Sequence, residues 1–152
     1  MKQKFNFNTQ YSQFYITSDN GKALVEGNNH WDDEAYRDRL SSLNNFLAVF
    51  TQCYGNVKGE LIVLEKPIAE IDYNKYDHIV EAGIVVKSGV LQVLDCPNSS
   101  IELELKIKPG NYRVRVYSSN LASVLDDDGD DYYKIEIWPD DNMERKVLKK
   151  YN

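Results

Sequence analysis

Histidine-based acid–base, thiol or zinc chemistry would have only four side chains to draw on in the 152 residues: His30, His78, Cys53 and Cys96. The cysteines stand far apart with no C-x-x-C, so they read as two reduced, buried thiols and not as a disulfide framework or a zinc site. His30, beside Trp31, reads as a loop or packing residue, and His78 as an exposed ring on a strand. G-x-S-x-G, H-E-x-x-H, the phosphate-binding Gly-Lys-Ser/Thr loop and G-x-G-x-x-G are all absent. A carboxylate-only enzyme such as a glycoside hydrolase needs two acids facing each other about 5 to 10 Å apart across a cleft. Asp77 with Glu81, or Asp32 with Glu34, are the candidates by elimination. This inventory favours a non-enzymatic binding protein without a cofactor.

The strongest polar feature is the run Asp126, Asp127, Asp128, Gly129, Asp130, Asp131. Clustered carboxylates suit calcium, but placing Gly129 at the sixth position of a helix–loop–helix calcium motif puts Val124 at the first position and Ile135 at the twelfth, where acids are required. The run is then either a solvated loop or a charged surface for a basic partner. A carboxylate cluster accelerates encounter with a basic groove, and aromatic side chains beside it supply affinity. The candidate partner-binding residues are therefore Asp126, Asp127, Asp128, Asp130, Asp131, Tyr132, Tyr133 and Trp138, with core packing the expected role of Trp31. The net charge of −6 agrees and argues against nucleic acid as the partner, since phosphate recognition needs a surplus of Lys and Arg. The partner implied is a basic protein such as a nuclease or toxin. Eleven tyrosines and two tryptophans also fit a carbohydrate- or ligand-binding module, provided that one face displays the rings.

Those residues have to be positioned by strands. Ile101, Leu103, Leu105 and Ile107 alternate with Glu102, Glu104, Lys106 and Lys108, the period-2 pattern of a strand with one wet face. Lys108, Pro109, Gly110 and Asn111 carry the residues of a type II turn, and Tyr112, Val114 and Val116 alternate with Arg113, Arg115 and Tyr117 beyond it. The pattern predicts a hairpin with Arg113 and Arg115 on the solvent face. Strands are also expected over Tyr11 to Ile16, returning through Ala23 to Val25 after an Asn20-Gly21 turn, and over Phe46 to Thr51 and Leu61 to Leu64 around a Gly55/Gly59 loop. Tyr76 to Lys87, with a bulge or bend at Gly83, pairs with Val90 to Leu94, and Tyr132 to Trp138 ends at Pro139. Asp32 to Leu40 reads as a short helix capped by Asp32, acids first and arginines later, lying over the β core. Arg145 to Lys150 is a basic tail, helix or strand. The whole predicts a mostly β chain: one domain over residues 1–152, an antiparallel β-sandwich of about eight strands with one short helix. With no apolar leader and no membrane-length apolar run, a cytoplasmic protein off the membrane is expected.

The segments Tyr11 to Ile16, Trp31 to Ala35, Gly83 to Val93 and Leu105 to Val114 resemble, in this order, the competence protein J family, which includes the inhibitor of a bacterial DNA-entry nuclease. The resemblance spans Tyr11 to Trp138 and implies a small cytoplasmic protein that silences a nuclease without chemistry of its own. It assigns no binding residues, because the matching positions are scaffold. The acidic run and the basic tail lie outside the matching pattern.

Overall fold

The computed structural model describes residues 1–18 and 32–152. The expected Asn20-Gly21 turn, the return through Ala23 to Val25, His30 and Trp31 lie outside the described residues. The elements are β1 (Lys2–Asn8), β2 (Gln13–Thr17), α1 (Asp33–Asp38), β3 (Leu40–Leu43), β4 (Phe46–Phe50), β5 (Asn56–Val63), β6 (His78–Val86), β7 (Val90–Leu94), β8 (Ile101–Lys106), β9 (Gly110–Ser119), β10 (Tyr132–Pro139) and β11 (Lys146–Lys149). They form a six-stranded sheet in the order β1-β5-β10-β9-β6-β11 and a five-stranded sheet in the order β3-β4-β2-β7-β8. The sandwich-like, mostly β architecture agrees with the patterning. Its described part holds eleven strands where about eight were expected, and β10 runs parallel to β5.

Two of the added strands were readable as alternation or short apolar pairs. Along β1, Phe5 and Phe7 are buried while Lys2, Lys4, Asn6 and Asn8 face outward. Leu40 and Leu43 bracket β3, which begins where the expected helix was to end. That helix is α1: the Asp32 side chain accepts from the Ala35 N–H at 2.8 Å, and Arg39 closes the other end in the left-handed region. Ala35 is buried with Tyr15, Phe46, Ala48 and Phe50, so α1 lies over the five-stranded sheet as expected of a lid.

The main core sits between the sheets, where Phe5, Phe14, Ile16, Leu47, Leu61, Val80, Leu91, Val114 and Ile135 pack together. Gly59 lies inside β5 and not in a loop. A Cβ there would fall 2.2 Å from the Tyr133 carbonyl oxygen and 2.5 Å from the Phe5 ring, so the glycine admits an aromatic ring over the strand. Gly83 marks no bulge: the register of β6 with β9 runs unbroken through Gly83 and Arg113. A Cβ at Gly83 would meet Met143 at 2.5 Å, and the missing side chain makes room for the C-terminal segment.

Two expected hairpins are sheet crossings instead. β7 leaves β6 and joins the other sheet between β2 and β8, and β8 pairs with β7 while β9 lies between β6 and β10. Gly110 has φ 158°, not the roughly +80° of a type II turn, and the Pro109 corner carries the chain across. The reason lies in coverage. Tyr112 through Ser118 are buried on both faces and need a central position, whereas β8, with its wet face, serves as an edge. Arg113 and Arg115 are accordingly buried, paired with Glu81 of β6 under the segments around Ile68 and Asn142–Glu144.

His78 is buried, not exposed. Its Nδ1 accepts from the Tyr151 N–H at 3.1 Å, which leaves Nε2 to donate to the Asp38 carbonyl at 2.8 Å. Burial first, with Arg39 nearby, holds its pKa below the usual 6.5. The unfolded chain therefore binds the proton more readily, so stability is complete above about pH 6.5 and falls as pH drops from there toward the lowered value. The melting temperature should decline between about pH 7.5 and 5.5, and His78→Gln should flatten that decline; an unchanged slope would remove His78 from the pH response.

Candidate functional site

The acidic run leaves the 3-10 turn Leu121–Ser123 and enters β10. Leu125 and Asp128 exchange backbone hydrogen bonds at 3.0 and 3.4 Å, with Asp126 at φ 58° between them. A Cβ at Gly129 would approach the Val124 backbone to 2.6 Å, so only glycine lets the loop fold back on itself. The Asp130 N–H donates to Ser123 Oγ, and Lys58 Nζ donates to the Gly129 carbonyl at 3.1 Å. The loop is thus shaped by its own hydrogen bonds, and its charge lies outward.

The eight candidate residues divide into two groups. Asp126, Asp127, Asp128 and Asp130 are exposed and Tyr132 is half-buried, its hydroxyl donating to Glu60 at 2.9 Å. Asp131, Tyr133 and Trp138 are buried and offer no surface to a partner. Asp131 Oδ2 accepts from the Cys53 N–H at 3.0 Å and from the Tyr133 hydroxyl, which itself accepts from the Gln52 N–H at 2.7 Å. These bonds tie the acidic loop to the loop 51–55. Trp138 lies on the outer face of the six-stranded sheet under the Arg115 guanidinium, 4.8 Å from the ring centroid. β10 carries Tyr133 inward and Trp138 under cover, a distinction that residue type alone does not make.

Beside the loop stand aromatic residues that motif reasoning missed. The Tyr54 N–H donates to the Asp127 carbonyl at 2.9 Å, and its ring meets that of Tyr11 edge-on at 6.0 Å between centroids. Tyr11 is 59% and Tyr54 41% exposed, and Leu125 at the head of the loop is 78% exposed. Next to Tyr11 lies a slot of about 250 Å³ lined by Tyr11, Ser12, Tyr36, Arg39, Phe50 and Gln52 among others. Arg39 donates to Gln52 Oε1 at 2.7 Å within it. The available signal was a tyrosine set among polar turn residues, between Cys53 and Gly55, where no strand face asks for one.

The other candidates for chemistry have structural partners. Asp77 accepts from the Leu121 N–H, Asp32 caps α1, Glu34 pairs with Arg145, and Glu81 is held between two arginines. Burial, then the hydrogen bond with Asp131, pushes the Cys53 thiol up to about 12, so it is protonated at neutral pH. Burial also raises the Cys96 thiol. Among the described residues no group of three or more His, Cys, Asp and Glu side chains could hold a metal ion, and no helix is long and apolar enough to cross a membrane.

A scan against protein-family models and a search of curated proteins find no match. Among solved structures, the crystal structure of ComJ, inhibitor of the DNA degrading activity of NucA, from Bacillus subtilis, superposes with a TM-score of 0.68 at 16% identity, over 91% of this chain and 96% of that one. The chain shares the fold of ComJ. The product of crocagin biosynthetic gene J superposes with a TM-score of 0.59, also at 16% identity, over 92% of this chain and 99% of that one. With the ComJ likeness over 91% of the chain, the resemblance read from short motifs extends to the architecture. At this identity the likeness shows the fold and assigns a role to no residue here.

Proposed function

We propose that this chain is a non-enzymatic inhibitor or immunity-type protein, one domain acting in the cytoplasm, whose acidic end docks on a basic protein partner, a nuclease being the kind that fits best. The observation that carries this is the hydrogen-bonded loop with Asp126, Asp127 and Asp128 exposed and outside every ion pair of the described residues. A nuclease has to display a cationic groove for phosphates, and a shaped anionic loop is complementary to it. The likeness to ComJ supports the same reading, since that protein inhibits the DNA-degrading activity of NucA. The test is a titration of the purified protein into a DNA-cleavage assay of a nuclease encoded beside its gene. Cleavage should fall to background near equimolar ratio, and undiminished cleavage at large excess would overturn the proposal.

The slot between Tyr11 and Tyr36 supports a second reading, carbohydrate binding. A glycan panel that raises the melting temperature would favour it.

A further inference from the structure

We infer that Tyr11 and Tyr54 are the aromatic anchor of the acidic surface and take up arginine side chains of the partner; the inference rests on the proposed docking of this end on a basic protein. Six non-glycine residues among those described have positive φ, and three of them, Tyr11 (61°), Ser12 (55°) and Arg39 (61°), line the slot beside the loop. Such conformations are unfavourable for residues with a Cβ and persist where the surroundings impose them. Arg39 is the cap of α1, whereas the turn at Tyr11 and Ser12 leaves a large ring 59% exposed. The Ser12 carbonyl accepts from the Thr51 N–H at 2.8 Å, the Thr9 N–H donates to the Gly55 carbonyl at 2.8 Å, and Tyr54 is tied to Asp127. The backbone segments that carry the two rings and the carboxylates are therefore held together before any partner arrives, which lowers the ordering cost of binding.

The chemistry of the patch selects the ligand. An aromatic face next to carboxylates matches a guanidinium, which stacks on the ring while its N–H groups meet the oxygens. Asp131 adds to the field: its Oδ1 is buried without a hydrogen-bond partner, and no cation among the described residues pairs with it. On the other side of Tyr11 the slot contains Arg39, whose guanidinium lies 5.3 Å from the Tyr151 ring centroid and is bound to Gln52. That charge repels a second guanidinium, so the arginine belongs on the Tyr54 side, between the tyrosine pair and the loop.

The probe is an acetylated, amidated tetra-arginine peptide, followed by two-dimensional NMR. Saturable shifts are expected at Tyr11, Tyr54 and Asp127, and the tetra-lysine peptide should bind several-fold more weakly. Tyr11→Ala with Tyr54→Ala should weaken tetra-arginine binding about tenfold, Tyr11→Phe with Tyr54→Phe should retain it, and Asp126→Asn, Asp127→Asn and Asp128→Asn together should weaken it at least as much. The tyrosines are exposed, and spectra unchanged away from the patch would verify the fold of each variant. If the asparagine variant loses binding while the alanine variant keeps it, the anchor is overturned and the acidic docking surface stands. If neither variant changes binding, or the peptide produces no saturable shift near Tyr54, both are overturned.

Discussion

Replacing Glu81 with glutamine should destabilise the fold by about 3–5 kcal/mol, seen as a shift of roughly 2 M in the urea midpoint. Glu81 Oε1 accepts from Arg113 Nε at 2.9 Å and Oε2 from Arg115 Nε at 2.6 Å, and all three side chains are buried. Arg113 also donates to the Asn142 and Glu144 carbonyls at 2.9 and 2.7 Å, and Arg115 donates to the Tyr117 hydroxyl at 2.9 Å. With a neutral amide in place of the carboxylate the two guanidinium groups stay where they are, and only Glu136, 3.6 Å from Arg115 and shared with Lys134, is left to balance them. The cost is mainly that of leaving charge buried without a counter-charge, not the worth of the pair itself. Replacing Glu81, Arg113 and Arg115 together with apolar residues of similar volume should therefore cost much less than the single change. A single-variant cost below about 1 kcal/mol would mean that water reaches this row of charges.

Removing the Asp131 side chain, in Asp131→Ala, should cost about 2–4 kcal/mol, because the Cys53 N–H and the Tyr133 hydroxyl would be left as buried donors without an acceptor. Asp131→Asn keeps an acceptor oxygen and should cost markedly less. The alanine variant should also loosen the two loops that Asp131 joins, so amide exchange at Tyr54 and Asp127 should accelerate even where the strands remain protected. Equal stability of the alanine and wild-type proteins would show that the carboxylate does not hold these loops together.

Apolar and aromatic runs identified β2, β4, β6 and β7, which are buried on both faces, and period-2 alternation identified β8 and β9. It could not assign partners: the alternation of Ile101 to Ile107 is the same whether the strand pairs with β9 or, as it does, with β7. Arg113 and Arg115 misled for a related reason, since a charged side chain reads as solvent-facing unless the carboxylate that accompanies it, Glu81 on another strand, is known. The acidic run was legible as a loop and as charge. Its division into exposed carboxylates and a buried Asp131 was not, because that depends on Cys53 and Tyr133 meeting it from two directions. Tyr11 reads as the start of a strand but lies in the turn before β2, Tyr54 carries no motif, and the two become a pair only when the segments 9–12 and 51–55 are brought together.

The proposed acidic docking surface is tested most directly by the association rate with a nuclease whose cleavage falls in the proposed titration, measured from about 20 mM to 500 mM salt for the wild type and for the variant with asparagine at positions 126, 127 and 128. The wild-type rate should fall steeply with salt, and the variant should start at least tenfold slower with a nearly flat dependence, the two converging at high salt. Equal rates and equal salt slopes for the two proteins would contradict the account.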